Sequence, residues 1–382
     1  MRLSILNSLD EIPAHDWNTL AGDANPFIRH EFLAALERHH CVGATTGWAP
    51  QHLTVREDSG RLLGATPMYL KNNSYGEFVF DWAWADAYRR AGLRYYPKLV
   101  VAVPYTPATG ARLLLADTPQ REHIAATLIT GALEHARNLR VSSLHWLFTT
   151  PGDSQRLERH GLMRRVGCQF HWHNNGYRDF EDFLATFSAE KRKKVKRERR
   201  RVREAGVEIE VLHGDAVNDR QWKIFHDFYS STFEKKGGIA SLTLGFFMEL
   251  GRTMPRNVVL VLAKYKNRYV AGAFNLRGAD TLYGRHWGCA EQFHSLHFEA
   301  CYYAAIDYCI AQGLKRFEAG AQGEHKISRG FAPTPTYSAH WLSHPAFSRA
   351  VEDFLAEEKQ HVDYYIDEMS VHLPFKKVRR EG

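Results

Sequence analysis

The residues best suited to chemistry lie between positions 322 and 329 (QGEHKISR), where a glycine, an acid, an imidazole and two cations follow a predicted strand. In α/β sheets, ligand-binding and catalytic sites commonly lie at the carboxyl ends of the strands, where polar side chains gather. Glu324 or His325 is a candidate base for taking the proton of an attacking amine. Lys326 and Arg329 are candidates for holding a carboxylate or a phosphate of the acceptor. The alternative is a solvated polar loop.

Two further polar groups lie earlier in the same half of the chain. Arg285 and Trp287 are on a predicted strand, where alternation puts both side chains on one face and His286 on the other. On that face Arg285 could bind an anionic group, and Trp287 could form an apolar wall beside it. The alternative is that Trp287 belongs to the hydrophobic core. Glu299 follows His297 at the start of a predicted helix. An acid there is favoured by the helix dipole alone, and it is also a candidate base for amide-forming transfer.

Two stretches in the first half of the chain are candidates for contacts with substrate. Acids and aromatic rings alternate in the first stretch, at Asp81, Trp82, Trp84, Asp86 and Tyr88. Acids suit a cationic amine and tryptophans suit a sugar or a base, although ordinary strand packing produces the same alternation. In the second stretch, His171 and His173 share one face of a predicted strand while Cys168 points away. We therefore expect a polar strand face in the cleft and no metal, since no second pair has structural-zinc spacing.

The main charge feature is a basic run over residues 191–203, with ten lysines or arginines and one glutamate. The formal net charge is +7, so removing the excess of nine in this run leaves −2 for the rest of the chain. An anionic partner is expected here: a tRNA backbone, an anionic membrane surface or a glycopolymer diphosphate. The residues predicted to bind it are Lys191, Arg192, Lys193, Lys194 and Arg197. No aromatic residue interrupts the charges, so base stacking is not expected, and a solvated helix is the alternative.

An internal repeat organises the elements that must position these residues. Residues 53–65 match residues 261–273 at an offset of 208, which also places Tyr75-Gly76 on Tyr283-Gly284. Each copy predicts a hairpin and then a further strand that carries the Tyr-Gly pair. The helices predicted next are 122–138 and 298–312, and the strands after them are 143–148 and 314–319. The pattern predicts a mixed α/β sheet with a mostly buried helix in each half.

Length and composition set the class of protein. A chain of 382 residues exceeds the size at which one core keeps growing, so two domains are expected. We assign an N-terminal half to 1–178, a basic helical connector to 179–206, and a C-terminal half with the active cleft to 207–382. Five cysteines without a CxxC pair favour reduced thiols. No apolar run is long enough to cross a bilayer and the N-terminus lacks a secretory pattern, which predicts a cytoplasmic protein.

Four stretches of the sequence are distinctive: 80–86 (FDWAWAD), 284–289 (GRHWGC), 296–303 (LHFEACYY) and 320–331 (GAQGEHKISRGF). Together with the run after Ser188, they resemble a bacterial family of predicted N-acyltransferases described as FemAB-like, or peptidoglycan biosynthesis/recognition. The resemblance covers nearly the whole chain. It implies two tandem GNAT-like domains, because better-studied relatives that add amino acids from aminoacyl-tRNA to peptidoglycan precursors have that construction.

One departure from acyl-CoA-dependent GNAT enzymes bears on the acyl donor. Those enzymes carry a (Q/R)xxGx(G/A) loop before the central helix, where backbone N–H groups hold the pyrophosphate. The corresponding residues here, 291–297 (EQFHSLH), contain no glycine, and neither do residues 118–123 in the first half. This favours a bulky donor such as aminoacyl-tRNA, while acyl-CoA stays open. Either donor is a co-substrate, and no tightly bound cofactor is expected.

The sequence therefore predicts an N-acyltransferase or aminoacyltransferase that moves an activated acyl group to a small-molecule or peptide amine, with a cell-wall precursor as a candidate acceptor. No G-x-S-x-G elbow, P-loop or Rossmann fingerprint occurs. Cys289 and Cys301 have apolar surroundings that raise a thiol pKa, so direct attack by the amine is expected. The alternative is a non-catalytic protein that binds tRNA or a peptidoglycan precursor through the basic run.

Overall fold

The computed structural model describes residues 1–321 and 323–376, so Gln322, which opens the predicted 322–329 cluster, lies outside the described residues. The chain divides into two compact units. Unit 1 comprises Met1–Cys168 and Pro335–Tyr364, and unit 2 comprises Gln169–Thr334 and the chain from Tyr365 onwards. The boundaries predicted at 178 and 206 differ from this division, because the basic connector lies within unit 2 and residues 335–364 return to unit 1.

The strands of the described chain are β1 (Arg2–Leu6), β2 (Trp48–Pro50), β3 (His52–Arg56), β4 (Leu62–Thr66), β5 (Met68–Lys71), β6 (Lys98–Val101), β7 (Leu114–Leu115), β8 (Ser143–Thr149), β9 (Met163–His173), β10 (Val207–His213), β11 (Val258–Tyr265), β12 (Arg268–Arg277), β13 (Thr281–Cys289), β14 (Arg316–Glu318) and β15 (Ala332–Leu342). The boundary between the units falls within β9 and β15. A third crossing, between Tyr364 and Tyr365, falls within the helix Pro345–Val371.

The α-helices are α1 (Ala14–Ala21), α2 (His30–Arg38), α3 (Trp82–Arg90), α4 (Arg121–Asn138), α5 (Pro151–Arg159), α6 (Phe180–Ala185), α7 (Ala189–Glu204), α8 (Asp219–Lys235), α9 (Leu244–Thr253), α10 (Leu296–Phe298), α11 (Ala304–Ala311) and α12 (Pro345–Val371). A π-helical turn at Glu299–Tyr303 joins α10 to α11. Short 3-10 turns occupy Leu9–Glu11, Pro26–Ile28, Gly214–Ala216 and Glu324–Arg329. None of the helices in the described part of the chain has the length and apolarity to cross a membrane.

Unit 1 contains two groups of strands, in the orders β1-β3-β4-β7 and β15-β8-β6-β5-β2. The predicted hairpin over residues 53–65 is β3-β4, and the predicted helix over 122–138 is α4. Ile124, Leu128 and Ile129 of α4 are fully buried in the core formed with these strands. Gly64 permits this packing, because a Cβ there would lie 2.6 Å from the Ile124 side chain.

Unit 2 contains a sheet in the order β10-β11-β12-β13-β14-β9, in which only β13 and β14 run parallel among the pairs described. Its hairpin β11-β12 confirms the second copy of the repeat. One face buries α11 against Leu282 and Phe317. The other face carries α8, which approaches β13 so closely that a Cβ at Gly288 would lie 2.0 Å from the Phe228 carbonyl oxygen. The buried central helix of this half is thus confirmed.

Two predictions about the first half are wrong. Tyr75-Gly76 lies in a turn after β5 and not on a strand. Gly76 has a positive φ of 78°, which is not a strand conformation, and its carbonyl oxygen accepts a hydrogen bond from the Tyr105 N–H. The stretch from Trp82 is the helix α3, not an alternating strand. Trp84 and Tyr88 are four residues apart and both are buried, so helical spacing decides which residues of this stretch face the core.

Acid should destabilise the fold through buried histidines. Burial lowers the pKa of His145 and of His171 to about 3, and that of His340 well below its usual value. The unfolded chain binds protons at these sites below about pH 6.5, whereas the folded chain stays neutral there. We therefore expect each histidine to remove about 2 kcal/mol of unfolding free energy between about pH 7 and pH 5.

Urea unfolding across that pH range measures the effect. His171→Gln should reduce the slope of unfolding free energy against pH, because one proton-binding site of the unfolded chain is lost. An unfolding free energy that stays constant as the pH falls would contradict the assignment of neutral buried imidazoles.

Candidate functional site

A gap opens between the two parallel strands of unit 2. The pairing of β13 with β14 covers only Thr281–Tyr283 and Arg316–Glu318. Beyond it, β13 continues along β12 to Cys289, whereas the chain after β14 enters the turn Glu324–Arg329. The strands separate at their carboxyl ends, which is the edge where α/β sheets bind ligands. Helix α10 begins at the same edge because it follows β13.

A β-bulge lies in β13 where the strands separate. The register with β12 shifts, so that Phe274 opposes His286 and Asn275 opposes Gly284, which leaves Arg285 as the extra residue. Bulges of this kind re-aim side chains and occur frequently next to functional sites.

The bulge changes which side chains share a face. Arg285 interacts with Tyr229 of α8 and with Glu318, and burial lowers its pKa to about 10. Trp287 instead packs against His297, with ring centroids 5.4 Å apart, beside α10. The prediction that Arg285 and Trp287 share a face is therefore wrong, because simple alternation does not account for an inserted residue.

One continuous helix was predicted over residues 298–312. The helix after β13 is instead interrupted by the π-helical turn at Glu299–Tyr303. Turns of this type occur mostly inside α-helices and frequently at functional sites. Here two consecutive tyrosines reach different partners. The Tyr302 hydroxyl lies 2.8 Å from Nε2 of His325, and the Tyr303 hydroxyl donates to the Glu198 carboxylate.

An aromatic wall of Trp287, His297, Phe298, Tyr302 and His325 borders the gap. Burial lowers the pKa of His297 to about 4. Burial also lowers the pKa of His325, and the cations Arg329 and Lys326 add to the effect. Both imidazoles are consequently neutral at neutral pH, the form in which a histidine accepts a proton.

Lys326 lies beside this wall and is almost completely buried. Within the described residues its ammonium makes one hydrogen bond, from Nζ to the Gly320 carbonyl oxygen at 2.9 Å. Burial lowers the pKa of Lys326 to about 8, so the group is still mostly charged at neutral pH. A buried ammonium with two uncommitted donors is suited to an anionic oxygen that arrives with a ligand.

Arg329 is engaged inside the protein. Its guanidinium pairs with both carboxylate oxygens of Glu198 at 3.0 Å, donates to the His325 carbonyl oxygen at 2.7 Å, and covers the Phe298 ring at 3.4 Å. Arg329 therefore stabilises the turn that carries His325 and Lys326. Arg329 was predicted to hold a carboxylate or a phosphate of the acceptor, whereas in the structure its guanidinium is paired with Glu198 of the same chain.

The other two predicted bases have partners of their own. Glu324 is exposed and accepts a hydrogen bond from the Tyr365 hydroxyl at 2.9 Å. Glu299 is buried and binds Arg199 at 2.9 Å, and the same guanidinium binds Asp307 at 2.7 Å. Burial raises the pKa of Glu299 while Arg199 opposes that shift. Of the three predicted bases, His325 is the one that lies in the aromatic wall.

The basic helix α7 is fixed directly to this site. Val195, Glu198 and Val202 form its buried face. Consecutive residues hold two turns of the site: Glu198 binds Arg329, and Arg199 binds Glu299. The cations predicted to bind an anion are half-buried or exposed and form no salt bridge among the described residues: Lys191, Arg192, Lys193, Lys194 and Arg197.

Residues 8–377 match the FemAB-like family, which is described as peptidoglycan biosynthesis/recognition. The chain belongs to the FemAB-like family. It is therefore a transferase of the acyl or aminoacyl type, and the predicted family and the predicted mixed α/β fold are confirmed.

Solved structures share the fold of this FemAB-like protein at low sequence identity. FemX is 12% identical with a TM-score of 0.55, over 92% of this chain and all of that one. The C-terminal domain of a protein from Agrobacterium fabrum described as a putative lysylphosphatidylglycerol synthetase is 10% identical with a TM-score of 0.57, over 91% of this chain and 97% of that one. L-PGS from Bacillus licheniformis is 10% identical with a TM-score of 0.51, over 87% and 98%. A search of curated proteins found no match.

The acidic and aromatic stretch predicted to contact substrate belongs to unit 1 of the FemAB-like chain. Asp81 is buried and accepts hydrogen bonds from Lys98 and, at 2.6 Å, from the Tyr95 hydroxyl, so its carboxylate already has an internal cation. Trp84 is buried, Trp82 is exposed, and Asp86 pairs with two arginines of α3. The set does not form a single lining.

His171 and His173 of the FemAB-like chain differ in exposure. His171 opposes Glu318 in the sheet, is buried, and lies 3.2 Å from the Gln169 amide oxygen. His173 is exposed at the end of β9. Across residues 1–321 and 323–376, no group of three or more potential ligands is placed to hold a metal ion.

Two residues of the site escaped sequence reasoning. Glu198 is the single acid of the basic run, and its spacing of three and four residues from Val195 and Val202 marks the inward face of α7. That spacing is a signal that could have identified it. Tyr302 carried no such signal, because a tyrosine in an apolar helix resembles any core residue and only the π-helical turn directs its hydroxyl to His325.

Proposed function

We propose that this FemAB-like chain transfers an aminoacyl group from aminoacyl-tRNA to an amine of a peptidoglycan precursor, and that the gap between β13 and β14 holds the reacting groups. The observation that carries the proposal is the attachment of α7 to the site through Glu198 and Arg199. The acyl donor acts as a co-substrate.

The charge on α7 supports a polyanionic donor. The helix has 16 residues and so extends about 24 Å. Cations without internal partners along such a length neutralise several phosphates of a nucleic acid backbone. Because Glu198 and Arg199 fix the same helix to the turns that carry Lys326 and Glu299, a polyanion bound along α7 would be held in one place relative to the site.

The segment before α10 supports the same donor. Phe293 packs against Tyr265 with ring centroids 5.0 Å apart, and Ser295 adopts a positive φ of 71°. This segment is committed to side-chain packing and contains no glycine that would let its backbone approach a diphosphate. An aminoacyl-tRNA donor that is bound through the phosphates of its tRNA does not need a glycine-containing diphosphate-binding loop.

The proposed reaction is direct aminolysis. The acceptor amine attacks the ester carbonyl, a C–N bond forms, and the C–O bond to the tRNA ribose breaks. His325 takes the proton that the amine loses and returns it to the departing ribose oxygen. Lys326 donates to the negative oxygen of the tetrahedral intermediate with the protons that Gly320 leaves unused.

Competition between donors tests the proposal. Native mass spectrometry of the protein offered aminoacyl-tRNA and acyl-CoA together should show retained aminoacyl-tRNA. Neutralising Lys191, Lys193 and Lys194 to glutamine should weaken the complex and lower the slope of log affinity against log salt by about 2 to 3. The matched control replaces three exposed cations elsewhere in unit 2, Arg252, Arg256 and Lys266, and should leave that slope unchanged.

Each contrary outcome has a specific meaning. Retention of acyl-CoA without tRNA would overturn the choice of donor. Retention of aminoacyl-tRNA without any amide product, when amino sugars and peptides are supplied, would favour the non-catalytic binding protein.

A further inference from the structure

An aromatic patch lies on the surface of unit 1, formed by Tyr75, Phe78, Phe80 and Trp82. Their side chains are 71%, 39%, 54% and 43% exposed, and the rings of Tyr75 and Trp82 pack together with centroids 5.3 Å apart. Large apolar rings gathered in this way on a surface mark a place where something else binds.

The polar side chains of the same segment point the other way. Ser74 and Glu77 each accept a hydrogen bond from the buried Lys98 at 2.8 Å, and Asp81 accepts another. The buried Lys71 donates to the Tyr75 carbonyl oxygen at 2.9 Å. The charged and polar side chains of this segment are therefore buried, while its aromatic rings are exposed to solvent.

Three backbone carbonyl oxygens of the segment already have donors within the protein. The carbonyl oxygen of Gly76 accepts from the Tyr105 N–H and that of Phe80 accepts from Arg165, in addition to the bond from Lys71 to Tyr75. Satisfied backbone groups lower the cost of leaving water. Phe78 has a φ of 60°, a region that bulky residues rarely occupy, so the surrounding structure must hold its backbone in this conformation.

Positive charge continues from the patch along α3. Trp82, Asp86, Arg89 and Arg90 are spaced so that they lie on one side of the helix, and Arg94 follows it. Residues 82–94 contain one acid and three arginines, which gives this stretch a net charge of +2. Rings at one end and arginines at the other suit a boundary between an apolar layer and anionic groups.

We infer that the aromatic patch docks peripherally on an anionic membrane surface, with its rings at the level of the lipid headgroups and the arginines of α3 on lipid phosphates. Two of the four rings, Phe78 and Phe80, carry no hydrogen-bonding group, and the neighbouring acids Glu77 and Asp81 are bound internally to Lys98, which favours an apolar layer over a sugar. The inference concerns unit 1 and does not depend on the chemistry proposed for unit 2.

Co-sedimentation of the full chain with phosphatidylcholine vesicles, with and without phosphatidylglycerol, tests the inference. The unaltered protein should pellet with the anionic vesicles. Phe78→Ser with Phe80→Ser should reduce partitioning by about tenfold or more, and Arg89→Gln with Arg90→Gln should reduce it several-fold on anionic vesicles only. The matched control, Tyr364→Ser with Val371→Ser, removes two exposed apolar side chains outside the patch and should pellet as before.

Circular dichroism melting must show that each variant is folded, and Phe80→Ser alone serves if the double replacement unfolds. Equal pelleting with and without phosphatidylglycerol, or unchanged pelleting of the folded patch variants, would overturn the inference. So would binding of a soluble muropeptide that Phe80→Ser abolishes, since the patch would then be a carbohydrate platform.

Discussion

Replacing Lys326 by methionine should lower the rate of aminoacyl transfer by about 10²- to 10³-fold while the chain stays folded, the loss typical of removing one donor to a developing oxyanion. The ammonium is buried and makes one hydrogen bond, to the Gly320 carbonyl oxygen. It has no carboxylate partner among the described residues. Methionine has a similar length and suits an apolar site, so little stability should be lost.

Single-turnover kinetics with aminoacyl-tRNA and an amine acceptor would measure the effect, with thermal melting as the test of folding. The pH profile adds a second readout, because burial lowers the pKa of Lys326 to about 8. Transfer by the unaltered protein should decline as the pH rises through that value, and the decline should be absent from the residual activity of Lys326→Met. Wild-type turnover by this variant would remove Lys326 from the mechanism.

Arg329→Met is the informative contrast to Lys326→Met. It removes the partner of Glu198 and leaves that carboxylate buried with the Tyr303 hydroxyl. Stability should fall by about 3 to 5 kcal/mol, the usual cost of breaking a buried ion pair. The roles of the two neighbouring cations can thus be separated. Lys326→Met should lose activity while staying folded, whereas Arg329→Met should lose stability.

Lys98→Met should have the largest effect on unit 1, with a loss of about 3 to 5 kcal/mol of unfolding free energy. Lys98 is fully buried and binds the carboxylates of Glu77 and Asp81. Burial works to raise the pKa of Asp81, yet the Lys98 ammonium lowers it to about 2. Burial raises the pKa of Glu77 to about 7. Without Lys98, one or both acids must take up a proton or draw in water.

Urea unfolding at neutral pH would quantify the loss. Lys71→Met is the matched control, because that lysine is equally buried but lies 3.9 Å from Glu77, and its effect should be smaller. Adding Glu77→Gln and Asp81→Asn to Lys98→Met should recover part of the stability, since the isolated buried charges are then gone. An unchanged unfolding midpoint for Lys98→Met would show that the cluster is hydrated and not a buried ion network.

The periodic parts of the fold could be predicted from the sequence, because one physical cause sets each pattern. An apolar run, a polar turn and a second strand beginning at a Gly-Ala pair predicted the hairpin β11-β12, and helical spacing with a glycine after the last turn predicted α11. Asp81 to Asp86 satisfies both a strand and a helix pattern. Burial of Trp84 and Tyr88, which decides for the helix, depends on residues distant in sequence.

The candidate site was predictable as a location but not as an arrangement. The polar cluster after β14 could be found because its residue types are unusual for a core. The bulge at Arg285 and the π-helical turn at Glu299–Tyr303 each insert one residue into a regular element, and no local pattern marks the insertion. Long-range ion pairs decide the rest, such as Arg329 with Glu198, 131 residues apart.

The two adjacent ion pairs of α7 have a thermodynamic consequence. Glu198 secures the turn that carries Lys326, and Arg199 secures the π-helical turn, so we expect the ordering of α7 and the ordering of the site to be coupled. A polyanion that binds only the ordered helix must then favour the ordered site. By linkage, a ligand that binds only the ordered site should strengthen polyanion binding by the same factor, so donor and acceptor should each bind more tightly when the other is present.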